Sequence, residues 1–474
     1  MSPFISWSLF VLHTLLAVVT AGHALLYKRD PRSAFGWIAI CMMFPLAGPI
    51  LYLLFGINRV RTRAKKYNLN SPFRITRPKT KQLAPQTGKQ HLDRFHKLFK
   101  SSDAVSDCPI VPGNKLTILK NGEEAYPEML KAILQAEETI YFTTYIFNPT
   151  GIGEEFIDAF ATAQKRGVDV RIIIDGFGEC YSKKKAAREL QKRGINAVRF
   201  LPPRLFPPTI HINLRKHSKI LTADSRVAFT GGMNIEDHHL VTAEKNKNPV
   251  QDMHFKLEGP VIRQMEQEFS EDWRFITGEK LTIDSTPISE QGDAYCRVVI
   301  DGPNENLDNL ETVLISALSS ATDHIFIMTP YFLPSREIIG ALQGAALRGV
   351  KTLVILPEKN NLPMVHWATR NMLWTLLGRG VRILYQPPPF AHTKLLTIDN
   401  QFSLIGSANW DTRSLRLNFE LVVEVFDGLT AQELSAHFKS ILSQSRETSL
   451  LELDSRSQFV RFRDAFCWLF SPYL

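Results

Sequence analysis

The sequence carries one polar pattern twice. Each copy consists of a histidine and a lysine two positions later. An aspartate follows five positions after the lysine, and an asparagine follows fifteen positions after the same lysine. Every member of the second copy lies 175 positions after its counterpart in the first. The two copies are His217, Lys219, Asp224 and Asn234, and His392, Lys394, Asp399 and Asn409. The chain is therefore a duplicated module in which each half contributes one histidine and one lysine.

The residue types in this pattern suit chemistry on a phosphate group. In a His-x-Lys triplet on a strand, the imidazole and the ammonium lie on the same face, because successive side chains alternate. Two lysines and two asparagines that converge between the halves would offer positive charge and amide donors to phosphate oxygens. No metal is needed to neutralise those oxygens. We therefore predict that Asn234 and Asn409 bind substrate phosphate and that no cofactor is required.

Two histidines on opposite sides of one phosphorus can divide the reaction between them. One attacks in line and forms a phospho-histidine, while the other protonates the leaving oxygen and later deprotonates the acceptor hydroxyl. A nucleophilic imidazole needs an acceptor for its second nitrogen. Asp252 is the candidate for this orienting role in the first half, and Glu420 is the candidate in the second. For each of them an ordinary surface carboxylate is the alternative.

Two motif aspartates and two histidines outside the motif have structural interpretations. Asp224 and Asp399 are grouped with the catalytic residues, but each falls at the end of its predicted strand, where capping of the following turn is the better interpretation. His238 and His239 are consecutive, so their side chains would fan outward instead of meeting on one metal ion. We interpret both of these histidines as surface residues.

Charge and cysteine content exclude several classes of protein. The five cysteines are scattered, odd in number and without metal-ligand spacing, which argues against a disulfide framework and a structural zinc. The net charge is +9, but residues 59–100 hold thirteen Lys or Arg and one acid, so the remainder of the chain is slightly acidic. A nuclease would more often carry its basic excess along a substrate groove. We predict an anionic membrane surface as the partner of this basic segment, and no nucleic acid.

Two uncharged apolar runs precede the basic segment. Residues 4–26 and 33–58 each have the roughly 20 residues that a helix needs to cross a bilayer. A cleaved signal peptide is the alternative for the first run, although no basic residue precedes it. Pro45, Gly48 and Pro49 indicate that the second run is kinked or re-entrant. Because basic residues follow the second run at once, the positive-inside rule places the rest of the chain in the cytoplasm.

From Lys115 onward, apolar β-branched runs alternate with amphipathic helices, in the same order in both halves. Such runs are typical of strands that crossover helices bury on both faces. The pattern predicts an α/β protein of two repeated sandwich domains packed side by side, after two transmembrane helices at about 4–26 and 34–56. We divide the chain into a membrane region (1–57), a basic linker (58–112), a first domain (113–290) and a second domain (291–474). The last segment, Phe459–Leu474, is amphipathic and either lies in the membrane interface or packs on its own domain.

The doubled His-x-Lys-x4-Asp-x6-Gly-Gly/Ser-x-Asn pattern resembles the phospholipase D superfamily, from about Lys115 to the end of the chain. The apolar runs with Pro45–Pro49, the segment from Gly406 to Glu420, and the closing Phe470-Ser471-Pro472 look like bacterial cardiolipin synthases. The resemblance implies two phospholipase D-like domains and a phosphate-binding role for Ser407. The first half departs from this pattern, because Gly232 stands where the second half has Ser407.

The resemblance also implies phosphatidyl transfer in a bacterial inner membrane, with membrane phospholipids as partners. By analogy, His217 takes a phosphatidyl group from one phosphatidylglycerol and releases glycerol, and a second phosphatidylglycerol collects that group to give cardiolipin. His392 would be the acid and base, although the sequence alone allows the reverse assignment. Two alternatives stay open: a phospholipase D-type hydrolase, in which water is the acceptor, and a synthase that uses phosphatidylethanolamine as donor.

Overall fold

A computed structural model describes residues 3–28, 31–44, 46–56, 95–203, 214–303, 307–472 and 474 of the chain. Of the segment predicted as a basic linker (58–112), residues 58–94 lie outside the described residues. Contacts within the chain separate two compact units, one formed by the amino-terminal helices and one that contains both copies of the polar motif.

The amino-terminal unit consists of α1 (Pro3–Tyr27), α2 (Pro31–Met43), α3 (Ala47–Leu51) and a π-helical turn, Tyr52–Gly56. Within α1, the window Phe10–Tyr27 has a mean hydropathy of 1.7 and is long and apolar enough to cross a membrane. The second apolar run, predicted at about 34–56, is divided into α2, α3 and the π-helical turn, so the predicted departure from a straight helix is confirmed. A Cβ on Gly48 would stand 2.2 Å from the carbonyl oxygen of Ile40, so only glycine allows α3 to turn back this closely on α2.

The second unit is built on a sheet of fifteen strands with helices packed against it. The strands of this unit are β1 (Val111–Lys120), β2 (Thr139–Thr144), β3 (Asp169–Asp175), β4 (Asn196–Phe200), β5 (Ile220–Ala223), β6 (Val227–Gly231), β7 (Val250–Gln251), β8 (Met253–Glu258), β9 (Ala294–Asp301), β10 (His324–Met328), β11 (Phe332–Leu333), β12 (Lys351–Pro357), β13 (Arg382–Gln386), β14 (Phe390–Ala391), β15 (Leu395–Ile398), β16 (Phe402–Gly406), β17 (Trp410–Asp411), β18 (Glu420–Phe426) and β19 (Arg446–Glu447). The fifteen-stranded sheet runs in the order β19-β13-β12-β10-β15-β16-β18-β9-β1-β8-β6-β5-β2-β3-β4.

The helices of this unit precede, connect and follow the strands. They are α4 (His96–Val105), α5 (Asn121–Gln135), α6 (Ile152–Lys165), α7 (Ala186–Lys192), α8 (Ile262–Thr277), α9 (Asn309–Ser320), α10 (Arg336–Leu347), α11 (Pro363–Leu377), α12 (Thr412–Arg416), α13 (Gly428–Leu442), α14 (Leu450–Asp454) and α15 (Gln458–Trp468). Short 3-10 turns occupy Gly178–Tyr181 and Asp237–His239. The loop at 204–213, between β4 and the first motif, lies outside the described residues.

The duplication predicted from the motif spacing is confirmed in the strand topology. In the first half β2, β3 and β4 are parallel neighbours, and β5, β6 and β8 follow antiparallel on the other side of β2. In the second half β10, β12 and β13 repeat the parallel set, and β15, β16 and β18 repeat the antiparallel set. The halves also share hydrogen bonds, because β1 and β9 pair at the centre of the sheet. One buried cluster includes Phe255 from the first half and Leu353 and Leu421 from the second.

Candidate active site

Backbone pairing between the halves positions both histidines. The N–H of His217 donates to the carbonyl of Phe419 (2.9 Å), and the N–H of Phe419 donates to the carbonyl of Arg215 (2.7 Å). In the second half β14 pairs in parallel with β7, and the N–H of His392 donates to the carbonyl of Gln251 (2.7 Å). Each histidine is therefore held on the backbone of the other half, one residue from the candidate carboxylate of that half.

The two imidazoles contact the predicted carboxylates in a crossed arrangement. Nδ1 of His217 lies 2.9 and 3.0 Å from the carboxylate oxygens of Glu420. Nδ1 of His392 lies 2.8 Å from Oδ2 of Asp252. The assignment of each carboxylate to its own half is therefore wrong, because the backbone exchange brings each histidine to the carboxylate of the opposite half. Neither Asp252 nor Glu420 is a surface residue, since their exposed fractions are 2% and 0%.

Strand register explains why the carboxylates have different spacings in sequence. Gly231 pairs with His254 across β6 and β8, and Gly406 pairs with Val422 across β16 and β18. Asp252 lies two residues before His254, and Glu420 lies two residues before Val422, so the two acids occupy equivalent places in the fold. The longer loop between Asn234 and β7 adds sequence to the first half without moving its carboxylate.

Ser407 has a different role from the predicted one. Its hydroxyl donates to Oε2 of Glu420 at 2.5 Å and accepts from the N–H of Leu421 at 3.1 Å. The Ser407 hydroxyl therefore supports the Glu420 carboxylate, which holds His217, instead of binding phosphate directly. In the first half a Cβ on Gly232 would lie 2.5 Å from the Asp252 carboxylate, so a serine side chain has no room there. The sequence difference between the motifs therefore follows from the different lengths of the two acids.

The two lysines are buried beside the histidines of their own motifs. Nζ of Lys219 donates to the carbonyl of His217 at 2.7 Å, and Nζ of Lys394 donates to the carbonyl of His392 at 2.6 Å. Burial lowers the pKa of Lys219 to about 7 and that of Lys394 to about 8. Both ammonium groups have therefore lost much of their hydration, and an anionic ligand would stabilise their charged form.

Burial also favours the neutral form of both imidazoles. It lowers the pKa of His217 to about 4, against the opposite effect of the Glu420 carboxylate. Burial and the charges of Lys394 and Lys219 lower the pKa of His392 well below its usual value. A neutral imidazole whose Nδ1–H donates to a carboxylate presents the lone pair of Nε2 to a substrate.

The motif asparagines are buried with the histidines and lysines. Oδ1 of Asn234 accepts from the N–H of Ile146 at 3.3 Å. Oδ1 of Asn409 has no hydrogen-bond partner among the described residues. Phosphate binding by Asn234 and Asn409 stays a prediction, and an amide of either residue can supply two N–H donors to it.

The motif aspartates serve the ends of other strands. The Asp224 carboxylate accepts from the backbone N–H groups of Glu137, Glu138 and Thr139, at 2.8–2.9 Å. Asp399 accepts in the same way at the start of β10. A strand rises about 3.3 Å per residue, so each aspartate, at the far end of a strand that starts after the motif lysine, lies up to about 16 Å from that lysine. The structural interpretation agrees with these contacts, but the carboxylates cap a neighbouring strand rather than the following turn, and they are not placed for catalysis.

We expect Asp399→Ala to reduce stability without changing the chemistry of the site. The substitution removes the acceptor for the backbone N–H groups of Thr322, Asp323 and His324. Leaving such donors unsatisfied costs about 1–3 kcal/mol, so the thermal inactivation midpoint should fall by several degrees. Asp399→Asn, which keeps one oxygen, should lose less. A large fall in kcat of the folded enzyme, with an unchanged midpoint, would contradict the structural role.

The structure adds side chains to the site that the sequence did not single out. The Tyr145 ring lies edge-on at 5.2 Å from the His217 ring, and Tyr331 and Phe390 lie 6.2 and 6.0 Å from the His392 ring. His239 is buried, with its ring centroid 6.5 Å from that of His392, so its interpretation as a surface residue is wrong. His238 is exposed as expected. The available signal for the two tyrosines was their repeated place, one residue after β2 for Tyr145 and three residues after β10 for Tyr331.

Known proteins are similar in sequence to this chain along almost its whole length. A family model described as "Cardiolipin synthase, PLD-like domain" matches residues 129–273 and 314–442, and one described as "Phospholipase_D-nuclease N-terminal" matches 15–56. The major cardiolipin synthase ClsA of Bacillus subtilis is 28% identical, over 98% of each chain. The probable cardiolipin synthase YwiE of the same organism is 30% identical, over 99% of this chain and 93% of its own. Cardiolipin synthase A of Pectobacterium atrosepticum is 28% identical, over 99% of each chain.

Among solved structures, phosphatidylserine synthase of Haemophilus influenzae has a similar fold. Its TM-score is 0.58 at 14% sequence identity, and the match covers 80% of this chain and all of that one. The repeated α/β halves and the doubled motif define a member of the phospholipase D superfamily. Within that superfamily, the chain belongs to the cardiolipin synthase family, as the family model and the full-length relatives show. It is a membrane-associated enzyme of phospholipid metabolism.

Proposed function

We propose that this protein transfers a phosphatidyl group between two phosphatidylglycerol molecules, producing cardiolipin and glycerol. The observation that carries the proposal is the crossed pair of carboxylate-bound imidazoles, His217 with Glu420 and His392 with Asp252, beside two buried lysines. This arrangement supplies a nucleophile, an acid and base, and positive charge for one phosphodiester. The names of the full-length relatives support cardiolipin as the product.

In the first half of the reaction, Nε2 of His217 attacks the phosphorus of a phosphatidylglycerol. The bond from phosphorus to the glycerol headgroup oxygen breaks, and His392, whose Nε2 takes up a proton when the anionic phosphodiester binds beside it, gives that proton to the oxygen. In the second half, His392 removes a proton from the hydroxyl of another phosphatidylglycerol. That oxygen attacks phosphorus and breaks the P–N bond, which restores His217. Lys219 and Lys394 stabilise the charge on the phosphate oxygens in both steps.

The different settings of the two carboxylates support His217 as the nucleophile. Burial alone would raise the pKa of Glu420, but His217 and its other partners outweigh it and hold that pKa below its usual value. Burial raises the pKa of Asp252. An anionic partner is needed most by the imidazole that becomes positively charged when it is phosphorylated. Glu420, supported by Ser407, fits that need better than Asp252.

The proposal is tested by the products that purified full-length protein forms on phosphatidylglycerol vesicles, identified by lipid mass spectrometry. We expect cardiolipin and an equal amount of glycerol from phosphatidylglycerol alone. Cardiolipin that forms only after addition of phosphatidylethanolamine would make that lipid the donor. Phosphatidic acid without cardiolipin would show that water is the acceptor and would contradict the synthase.

The pH dependence should report the buried histidine and lysines. We expect kcat/KM to fall below pH about 4, where His217 becomes protonated, and to decline with rising pH as His392 loses the proton that it must donate. A steeper limb should follow above pH about 7 to 8, where Lys219 and Lys394 lose their protons. The phosphate anion favours the ammonium form, so the basic limb of kcat should lie at higher pH than that of kcat/KM. Arginine stays protonated, so the limb near pH 7 should disappear in Lys219→Arg. Its persistence in that variant would contradict the assignment.

We further propose a multi-pass protein of the bacterial inner membrane with cytoplasmic catalytic halves, divided near residue 290. The apolar α1 and the basic residues that follow the second apolar run support this orientation.

A further inference from the structure

Helix α15 is fixed to the second half of the catalytic unit through one face. The carboxylate of Asp464 is fully buried and accepts hydrogen bonds from Arg370 on α11 (2.9 and 3.0 Å), from Arg456 (2.6 Å) and from Arg463 (2.9 Å). Cys467, one turn further on, is also buried. The helix is therefore a bound element of the fold with a defined orientation.

The opposite face of α15 and the residues directly after it expose large apolar side chains. The exposed fractions are 78% for Phe459, 73% for Phe462, 51% for Phe466, 66% for Leu469 and 41% for Phe470. The first four follow at intervals of three, four and three residues, so they form one stripe along the helical direction. A continuous aromatic stripe of this kind marks a contact surface, whereas single exposed apolar residues are ordinary.

The stripe continues onto its neighbours. Trp374 on α11 is 61% exposed and lies one turn beyond Arg370, the residue that binds Asp464. Leu451 on α14 is 82% exposed. We call the stripe on α15 together with these two residues the aromatic face.

The positive charge that this face offers is that of Arg461. Residues 450–474 contain three arginines and three acids, of which Asp464 is buried against Arg456 and Arg463, and Glu452 binds Arg446. Arg461 is exposed between the phenylalanines, and the guanidinium of Arg463 lies 4.2 Å from the Trp367 ring centroid. Aromatic rings with interspersed arginines match the boundary between lipid headgroups and acyl chains, where the rings enter the apolar layer and the guanidinium groups meet phosphates.

Helix α11 connects this face with the rim of the active site. The hydroxyl of Tyr331, whose ring is 6.2 Å from that of His392, donates to Oδ1 of Asn361 at 2.9 Å. Two residues later α11 begins, with Leu362 and Met364 43% and 42% exposed. Trp367, which contacts Arg463 on α15, follows one turn after the start of α11. A surface that binds the aromatic face would therefore lie near the entrance to the site.

We propose that the aromatic face docks the catalytic unit on an anionic phospholipid bilayer. The aromatic side chains lie at the headgroup–acyl boundary, and Arg461 contacts lipid phosphates. A bilayer fits this surface better than a second protein copy does, because the face combines apolar rings with an exposed arginine, Arg461, that has no acid partner among the described residues. This docking goes beyond the proposed reaction. It rests on that proposal at one point, which is that the substrates are lipids of the same membrane.

An environment-sensitive label tests this docking in the full-length protein. Cys180 is the only exposed cysteine, so Cys180→Ser gives a background in which Phe462→Cys can be labelled with a nitrobenzoxadiazole dye. Leu429→Cys on α13 is the matched control, because Leu429 is 79% exposed and lies outside the aromatic face. In vesicles containing phosphatidylglycerol, we expect a blue-shifted emission at position 462 and quenching by lipids with a nitroxide near the headgroup. The label at 429 should keep the emission of a dye in water.

Two results of this experiment would overturn the docking. One is a water-like label at 462 while α1 holds the protein in the vesicle. The other is a blue shift without quenching by nitroxide lipids, which would show that protein and not lipid covers the face. Both readouts are independent of which lipid product is made, so failure of docking is distinct from failure of the proposed reaction.

Activity provides a second test with unlabelled protein. We expect Phe462→Glu to lower kcat/KM on anionic vesicles about tenfold or more, and to change the rate in mixed detergent micelles by less than about twofold. Leu429→Glu adds the same charge at a similarly exposed position and should leave both rates unchanged. Equal effects of the two substitutions, or none on vesicles, would contradict a specific docking face.

Discussion

Alanine at His217 or at His392 is expected to reduce cardiolipin formation by about 10³- to 10⁶-fold, which makes these the largest single-residue effects in the protein. Both imidazoles are held by carboxylates in one buried site. The double variant should be hardly slower than either single variant, because the two residues act as a unit.

The two alanine variants should nevertheless differ with a donor lipid whose leaving group needs no protonation, such as a nitrophenyl phosphodiester. His392→Ala should still release nitrophenol once per site and accumulate a phosphatidyl group on His217, identifiable by mass spectrometry of the peptide. His217→Ala should show no burst. A burst in His217→Ala, with the adduct on His392, would reverse the assignment of nucleophile and acid.

Removing the charge of the orienting carboxylates should have the second-largest effect. Glu420→Gln and Asp252→Asn keep the size of the side chain but replace an acceptor of the Nδ1–H with a group that can also donate. An amide in this place stabilises the wrong tautomer, and in a comparable triad that costs about 10⁴-fold. We expect kcat to fall by about 10²- to 10⁴-fold with little change in KM.

The crossed arrangement makes this experiment specific. Glu420→Gln should suppress formation of the phosphatidyl adduct on His217, although Glu420 belongs to the other half of the sequence. Glu424→Gln is the matched control on the same strand, because Glu424 is equally buried but binds Arg297 (2.8 Å) and Ser102 (2.9 Å) instead of a histidine. That variant should lose stability and keep its kcat. A comparable fall of kcat in both variants would mean that Glu420 acts only through the fold.

The spacing of the motifs was sufficient to predict the duplication and the members of the site, because a repeat at a fixed interval preserves equivalent places in two similar folds. It could not predict which carboxylate meets which histidine. That pairing depends on the backbone exchange of Lys216 with Phe419 and of β14 with β7, and contacts between segments this distant leave no periodic signal in a sequence.

The two side chains that were misinterpreted illustrate a related limit. Ser407 has the residue type of a phosphate ligand, but its hydroxyl is used by Glu420, a partner thirteen positions away across two paired strands. His239 follows exposed Asp237 and His238, yet a short 3-10 turn directs it into the protein. In both places the role of the side chain depends on a tertiary contact that the neighbouring residues do not specify.

The stereochemistry at phosphorus tests the covalent mechanism most directly. A phosphatidylglycerol donor is made chiral at phosphorus with oxygen isotopes, and the configuration of the cardiolipin formed from it is determined. Attack by His217 followed by attack of the acceptor hydroxyl inverts the configuration twice, so we expect overall retention. Inversion would show a single direct transfer between the two lipids and would contradict a phosphatidyl-histidine intermediate.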